Sequence, residues 1–344
     1  MMTNNEKLKY LFKSVITGGL YYSGLLRCFL RKEFRDKGFI LMYHRIVHSP
    51  GEDAVPLQPG MYVTDETFER HLAFLKKKYS IIPFHEMVHR INQGRTTGEC
   101  CSITFDDGWR DTYDTAFPLL KRHQVPASVF LASGYIGTDK WFWPEELAWC
   151  LEKLLKQDAW NAETDGFIKS LMPEMNSGNK KNHTDLIDIA IEKVKKYRPE
   201  RREALLAAIR EALPSGSRVR LMMSWSEAAE MQKSGLVSFG AHTVNHIYLD
   251  QVGQDTARLE ISSSKKVIED HLGVPVTLFA YPNGNYTPQT IGMLEQNGFL
   301  GAVTTRRGYV DGNTPLMEMP RIAMHDDVSK TIPLFFSRLL LSLF

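Results

Sequence analysis

Two adjacent carboxylates, Asp106 and Asp107, follow Thr104-Phe105 and precede Gly108. The run Ser102-Ile103-Thr104-Phe105 reads as a strand. Successive strand residues point to opposite faces, so a strand interior cannot aim both acids at one spot. A strand end that turns at Gly108 can. Two converging acids repel each other unless a proton or a cation separates them, and this predicts a metal. Further ligands stand at His242 and His246, whose spacing would put both imidazoles on one side of a helical turn. They come just after Leu236-Val237-Ser238-Phe239-Gly240-Ala241, which reads as another strand. Two His and one Asp leave at least one position open on a zinc-like ion, as in a catalytic site. Water in such a position has a pKa lowered towards neutrality.

The elements that must position these groups alternate between strand and helix. Strand-like runs occupy Phe39 to Met42, Ile81-Ile82-Pro83-Phe84, Ser102 to Phe105, Ala127 to Leu131, Leu236 to Ala241, Thr277 to Ala280, Ala302 to Thr305 and Arg321 to Met324. Helical spacing covers Thr64 to Tyr79, with Thr64 as cap, then Thr115 to His123, Gln254 to Leu272 and Thr287 to Asn297. The alternation predicts a mainly parallel sheet or barrel. Tyr281-Pro282-Asn283-Gly284 makes a third polar turn at a strand end, which completes the mouth of an α/β barrel. From about 141 to 223 helical periodicity dominates, and the segment reads as an insertion that opens with Trp141, Phe142 and Trp143. Insertions at a barrel mouth set substrate choice.

Thr104-Phe105-Asp106-Asp107-Gly108, His242 to His246 and Ala280-Tyr281-Pro282-Asn283-Gly284 together resemble the motifs of the polysaccharide deacetylases, the NodB-homology family. The resemblance spans roughly residues 39 to 326 and implies a distorted (β/α) barrel of the NodB type. The residue patterns divide the chain into an N-terminal amphipathic segment (1–35), the barrel (36–330) with its insertion (about 141–223), and an apolar C-terminal segment (331–344). The resemblance implies Asp106 as general base, and Asp107, His242 and His246 as ligands of a divalent metal, with zinc expected. The Asn283 backbone N–H is implied as oxyanion donor, and His325 as general acid. The arginine that holds the base in the family falls on Ala280 here, so Arg321 is the candidate replacement. His44, Trp109, Tyr281, Pro282 and Asn283 are candidate substrate contacts, with His44 also a rival for the acid and Trp109 alternatively part of the core. The implied reaction is metal-dependent removal of N-acetyl groups from a sugar in a polysaccharide or glycolipid. An O-acetyl esterase, a non-sugar amidase and a non-catalytic carbohydrate-binding scaffold are the alternatives.

Composition narrows the partners. The 344 residues are 43% hydrophobic and 24% charged, with a net charge of +2. No basic stripe with interleaved aromatics occurs, which argues against nucleic acid. Cys28, Cys100, Cys101 and Cys150 form no C-x-x-C pair and suggest buried thiols in a reducing compartment. The apolar stretch from Ser14 to Leu26 is shorter than the ~20 residues of a spanning helix. The first alanine is Ala54, so no cleavable signal is evident. The expectation is a cytoplasmic protein, with peripheral membrane contact through the terminal segments as an additional partner.

Overall fold

A parallel sheet carries every strand end singled out above. The structure, a computed structural model, describes residues 15–24, 34–48, 57–58, 60–95, 97–157, 166–167, 169–170, 183–213 and 219–340. Cys28, the polar stretch 171–182 and the last four residues lie outside them.

The strands are β1 (Phe39–Tyr43), β2 (Arg45–Val47), β3 (Tyr62–Thr64), β4 (Ser80–Ile81), β5 (Cys100–Phe105), β6 (Ala127–Leu131), β7 (Val237–Ala241), β8 (Leu278–Ala280), β9 (Gly301–Val303) and β10 (Ile322–Ala323). The main sheet runs β10-β1-β5-β6-β7-β8-β9, with β4 paired to β5, while β2 and β3 form a separate pair. Every pairing between these strands is parallel. β1, β5 and β6 are buried at every position. That is why they read as unbroken apolar runs, since a parallel sheet is covered on both faces. With helices between its strands, the parallel sheet has the α/β architecture that the alternation predicts. Tyr43 pairs with Phe105, Leu131 with Ala241, and Ala241 with Phe279. This register brings the C-terminal ends of β1, β5, β7 and β8 to one edge.

Local signals place the helices around the sheet. The Asp65–Lys78 helix starts where Thr64 accepts from the Thr67 N–H, carries Asp65 and Glu66 in its first turn, and ends in Lys76, Lys77 and Lys78. Its buried face is Phe68, Leu72 and Leu75. The Gln254–Leu272 helix stops at Gly273, which adopts the left-handed conformation (φ 68). One expected strand is corrected. Ile81-Ile82-Pro83-Phe84 is strand only to Ile81; Pro83 is the N-cap of a helix, Phe84–Asn92. Proline suits a helix start, where its missing N–H is not needed, and Phe84, Met87, Val88 and Ile91 recur at helical spacing on the buried face.

The chain divides into two compact units, one made mainly of Lys140–Val219 and the other containing the sheet. The first has its own apolar cluster, including Leu147, Leu151, Leu154, Leu186, Ala190, Leu206 and Ile209. These residues come from the helices Trp143–Gln157, His183–Val194 and Pro199–Ala212. At its margins the Trp141 indole N–H donates to the Val219 carbonyl at 2.9 Å.

In the sheet unit, the Ile332–Leu339 helix buries Leu334, Phe335, Phe336 and Leu339. Residues 15–22 are helical, with Val15 and Tyr22 exposed and Tyr21 edge-on to Phe336 at 5.3 Å. Among the described residues no helix is long and apolar enough to cross a membrane. Cys100, Cys101 and Cys150 are buried free thiols.

Candidate active site

The two acids converge through backbone geometry that the sequence conceals. Asp107 itself has φ 76, and Gly108 follows with φ 86. The Gly108 N–H donates to the Asp106 carbonyl at 3.0 Å, closing a γ-turn of the rare positive-φ kind around Asp107. A side chain at Gly108 would collide with Ile136 at 2.6 Å and Leu131 at 2.8 Å, so glycine is required for space as well as for φ. The turn frees both carboxylates from the alternation of β5.

Asp107, His242 and His246 come together, each offering one ligand atom, all within 4.8 Å of one another. Nε2 of His242 and Nε2 of His246 each lie 3.4 Å from Asp107 Oδ1. Two ligands held ~2.1 Å from a tetrahedral ion stand about 3.4 Å apart, so the spacing fits a shared cation. Asp107 Oδ1 is buried and has no hydrogen-bond partner, a costly condition that a cation would relieve. The His242 ring is fixed from behind by a 2.7 Å bond between Nδ1 and the Ala280 carbonyl. A carbonyl only accepts, so Nδ1 carries the proton and Nε2 presents its lone pair to the site.

The expected helical turn across His242 and His246 is absent. Residues 242–247 are irregular, with Thr243 at φ 63 and His246 at φ 53. The imidazoles still meet, with ring centroids 4.9 Å apart. Backbone bonds shape the loop instead: Ser133 N–H to the Thr243 carbonyl at 3.1 Å and Gly134 N–H to the Val244 carbonyl at 2.9 Å. On the other side of the loop, the Glu260 carboxylate accepts three bonds from Val244 and Asn245.

Asp106 stands apart from this triad and is held by Arg321. The guanidinium donates from Nη1 to Oδ1 at 2.7 Å and from Nη2 to Oδ2 at 2.6 Å. Its Nε donates to the Thr304 carbonyl at 3.0 Å, and Nη1 also reaches the Thr104 hydroxyl at 3.1 Å. Both partners are buried, with side chains 0% and 3% exposed. Burial works to raise the Asp106 pKa, but the charge and paired bonds of Arg321 outweigh it and hold the carboxyl below its usual range. Burial likewise opposes ionisation of Asp107, and the facing imidazoles overcome it and hold Asp107 well below. His242 is raised because Asp107 and Asp106 overcome its burial, whereas burial pushes His246 down to about 4 against the pull of Asp107.

The other candidates divide. His44 follows β1, is partly exposed, and lies near enough for its charge to act on Asp106, Asp107 and His246. The Met324 N–H donates to the Met42 carbonyl, which continues the β1–β10 register and sets His325 beside His44. Nδ1 of His325 is 3.1 Å from Asp327 Oδ2, so the ring is oriented and Nε2 is turned away from that carboxylate. Asn283 is exposed three residues beyond Ala280, with φ 57.

Trp109 and Tyr281, expected as substrate contacts, are buried. Trp109 is 1% exposed; its indole N–H donates to Asp107 Oδ2 at 2.8 Å, and Arg45 lies over its ring. That bond occupies Oδ2 and leaves Oδ1 facing the two imidazoles. Tyr281 is fully buried, donates to the Met317 carbonyl at 3.0 Å, and packs on Phe279 and Tyr286. Pro282 is buried as well. An aromatic or apolar residue beside a motif is as often core as contact, and burial decides between them. Sequence reasoning passed over Glu260 and Asp327. Asp327 carried a signal, a carboxylate two residues beyond a candidate acid histidine; Glu260 carried none.

Comparison with known proteins agrees with this fold. The polysaccharide deacetylase family pattern matches residues 93–302. A putative polysaccharide deacetylase of Bacillus subtilis (strain 168) is 22% identical over 292 residues, covering 84% of this chain and 72% of that protein. The poly-beta-1,6-N-acetyl-D-glucosamine N-deacetylase of Staphylococcus epidermidis is 30% identical over 112 residues, 30% of this chain and 39% of that protein. The fold matches Streptococcus pyogenes deacetylase PplD in complex with acetate, with TM-score 0.55 and 22% identity over 86% of this chain and 95% of that one. It also matches IcaB from Ammonifex degensii, with TM-score 0.54 and 20% identity over 88% and 97%.

Proposed function

The chain belongs to the polysaccharide deacetylase family, hydrolases of carbon–nitrogen bonds other than peptide bonds, and on that premise we propose that it removes N-acetyl groups from an N-acetylated sugar with the help of a divalent metal. The sugar belongs to a polysaccharide or glycolipid. The observation that carries the proposal is the division of labour between neighbouring acids. Asp107 faces two imidazoles with an unpartnered oxygen, while Asp106 is buried and, among the described residues, its carboxylate is hydrogen-bonded from the Arg321 side alone.

Asp107, His242 and His246 would hold the cation, and zinc suits two imidazoles and one carboxylate. When bound, it supplies a Lewis acid and a water whose pKa is lowered towards neutrality. Asp106 takes the proton of the attacking water, and Arg321 fixes the carboxylate in place for that transfer. The Asn283 N–H donates to the developing oxyanion of the acetamide. His325, oriented by Asp327, gives a proton to the departing sugar amine, and His44 contacts the substrate beside it. The poly-N-acetylglucosamine activity named for the staphylococcal relative supports an amide on a hexosamine as the bond cleaved.

The test is acetate release from N-acetylglucosamine oligomers with and without added zinc. Asp106→Asn should abolish release and keep the metal, whereas His242→Ala should lose the metal itself. Turnover that survives Asp106→Asn, or that is indifferent to a chelator, overturns the proposal. Release from O-acetyl esters alone would make the protein an esterase.

A further inference from the structure

We propose that Glu260 is the positioning residue that sets the His246 side of the metal site, an inference that rests on the metal reading above. Glu260 lies in the Gln254–Leu272 helix, is 8% exposed, and aims its carboxylate at the loop carrying the two histidines. Glu260 Oε2 accepts from the Val244 N–H and the Asn245 N–H, each at 2.8 Å, and Oε1 accepts from the Asn245 side-chain amide at 2.6 Å. Three donors on one buried carboxylate fix the two residues immediately before His246.

The opposite side of the loop is equally confined. Gly134 bonds the Val244 carbonyl, and a Cβ at Gly134 would come within 2.8 Å of that oxygen. The loop is thus gripped between residues 133–134 and Glu260, and the grip holds Thr243 and His246 at positive φ. A non-glycine residue keeps such a conformation only where its surroundings impose it. His242 needs no such help, because the Ala280 carbonyl holds its ring directly. Glu260 therefore acts through His246.

The experiment titrates the apo-protein with zinc alone against a chromophoric chelator, and with cobalt alone by visible absorption. Glu260→Gln keeps the volume but puts an amide donor where one acceptor stood. It should weaken zinc binding by about 10- to 100-fold and change the cobalt spectrum, the usual scale for a group that orients a ligand. The loss should vanish in a His246→Ala background, since the residue acted upon is gone. Asn245→Asp, at an exposed position, sets a second carboxylate against Glu260 and should weaken zinc in the same direction. Combining it with Glu260→Gln restores a donor–acceptor pair and should recover part of the affinity. Wild-type zinc affinity in both Glu260→Gln and Asn245→Asp overturns the proposal, as does an equal loss with and without His246. Failure of the wild-type protein to bind either metal would instead overturn the metal site itself.

Discussion

Arg321→Met removes the cation from Asp106 while roughly keeping side-chain length. Two bonds, at 2.7 and 2.6 Å, disappear, and a carboxylate 3% exposed is left without its counter-ion. Breaking one partner of a buried pair costs about 3–5 kcal/mol. The carboxylate reduces that cost by binding a proton. The sign follows from the depressed folded pKa of Asp106: its stabilisation is present above the unfolded carboxylate pKa and lost as pH falls through the folded value. Without Arg321 the folded pKa rises. If about 3 kcal/mol bears on the ionised form alone, the rise is about two units at 1.36 kcal/mol per unit. The base would then be protonated at higher pH, and the acid limb of kcat/KM should move up by a similar amount. Acetate release against pH, with metal content measured on the same samples, reads this shift separately from loss of the ion. Arg321→Lys keeps the charge without the planar fork and should fall between. An acid limb that stays in place in Arg321→Met, with metal retained and the protein folded, would refute the assignment of Asp106 as the base that Arg321 holds.

Trp109→Phe should lower zinc affinity on the order of 10-fold by freeing Asp107 Oδ2, with KM for oligosaccharide unchanged once metal is saturating. A rise in KM at saturating metal would return Trp109 to the sugar site. His71 is buried, stacks on Phe335 and donates from Nε2 to the Ser329 carbonyl, while Nδ1 accepts from the Tyr43 hydroxyl. Burial pushes its pKa down to about 3, so its folded form resists protonation, and stability falls as pH drops below the ordinary histidine value. Linkage gives a loss of about 2 kcal/mol between pH 7 and pH 5, and His71→Leu should flatten that part of the urea-unfolding profile even though it lowers stability at pH 7.

The strand ends were legible because parallel, doubly covered strands leave continuous apolar runs, and because chemistry accumulates where such runs stop. Ala127 to Leu131 and Gln254 to Leu272 fall where their patterns predict. Thr64 was readable as a cap because its hydroxyl satisfies a helix-end donor, a local requirement. Arg321 was harder, since it lies 215 residues from Asp106 and only the β10-β1-β5 order brings them together. The conformation of the 242–246 loop was not legible at all. Two histidines four apart suit a helical turn equally well, and the grip of Gly134 and Glu260 that excludes it comes from distant segments. Trp109 and Tyr281 look alike in sequence whether they stack on sugar or fill the core. Their hydrogen bonds to Asp107 and to the Met317 carbonyl distinguish the two cases only after folding.

The Trp141–Val219 bond bears on how the chain assembles. β6 and β7 pair over five positions, yet on the order of 100 residues separate them, and closing so long a connection carries an entropic cost that slows non-local pairing. A segment that gathers around its own leucines and ties its entrance to its exit becomes a short effective link. Early collapse of residues 140–219 would therefore speed the meeting of β6 with β7. For the same reason, the segment is a natural cassette for replacement by a brief turn or by its counterpart from another barrel.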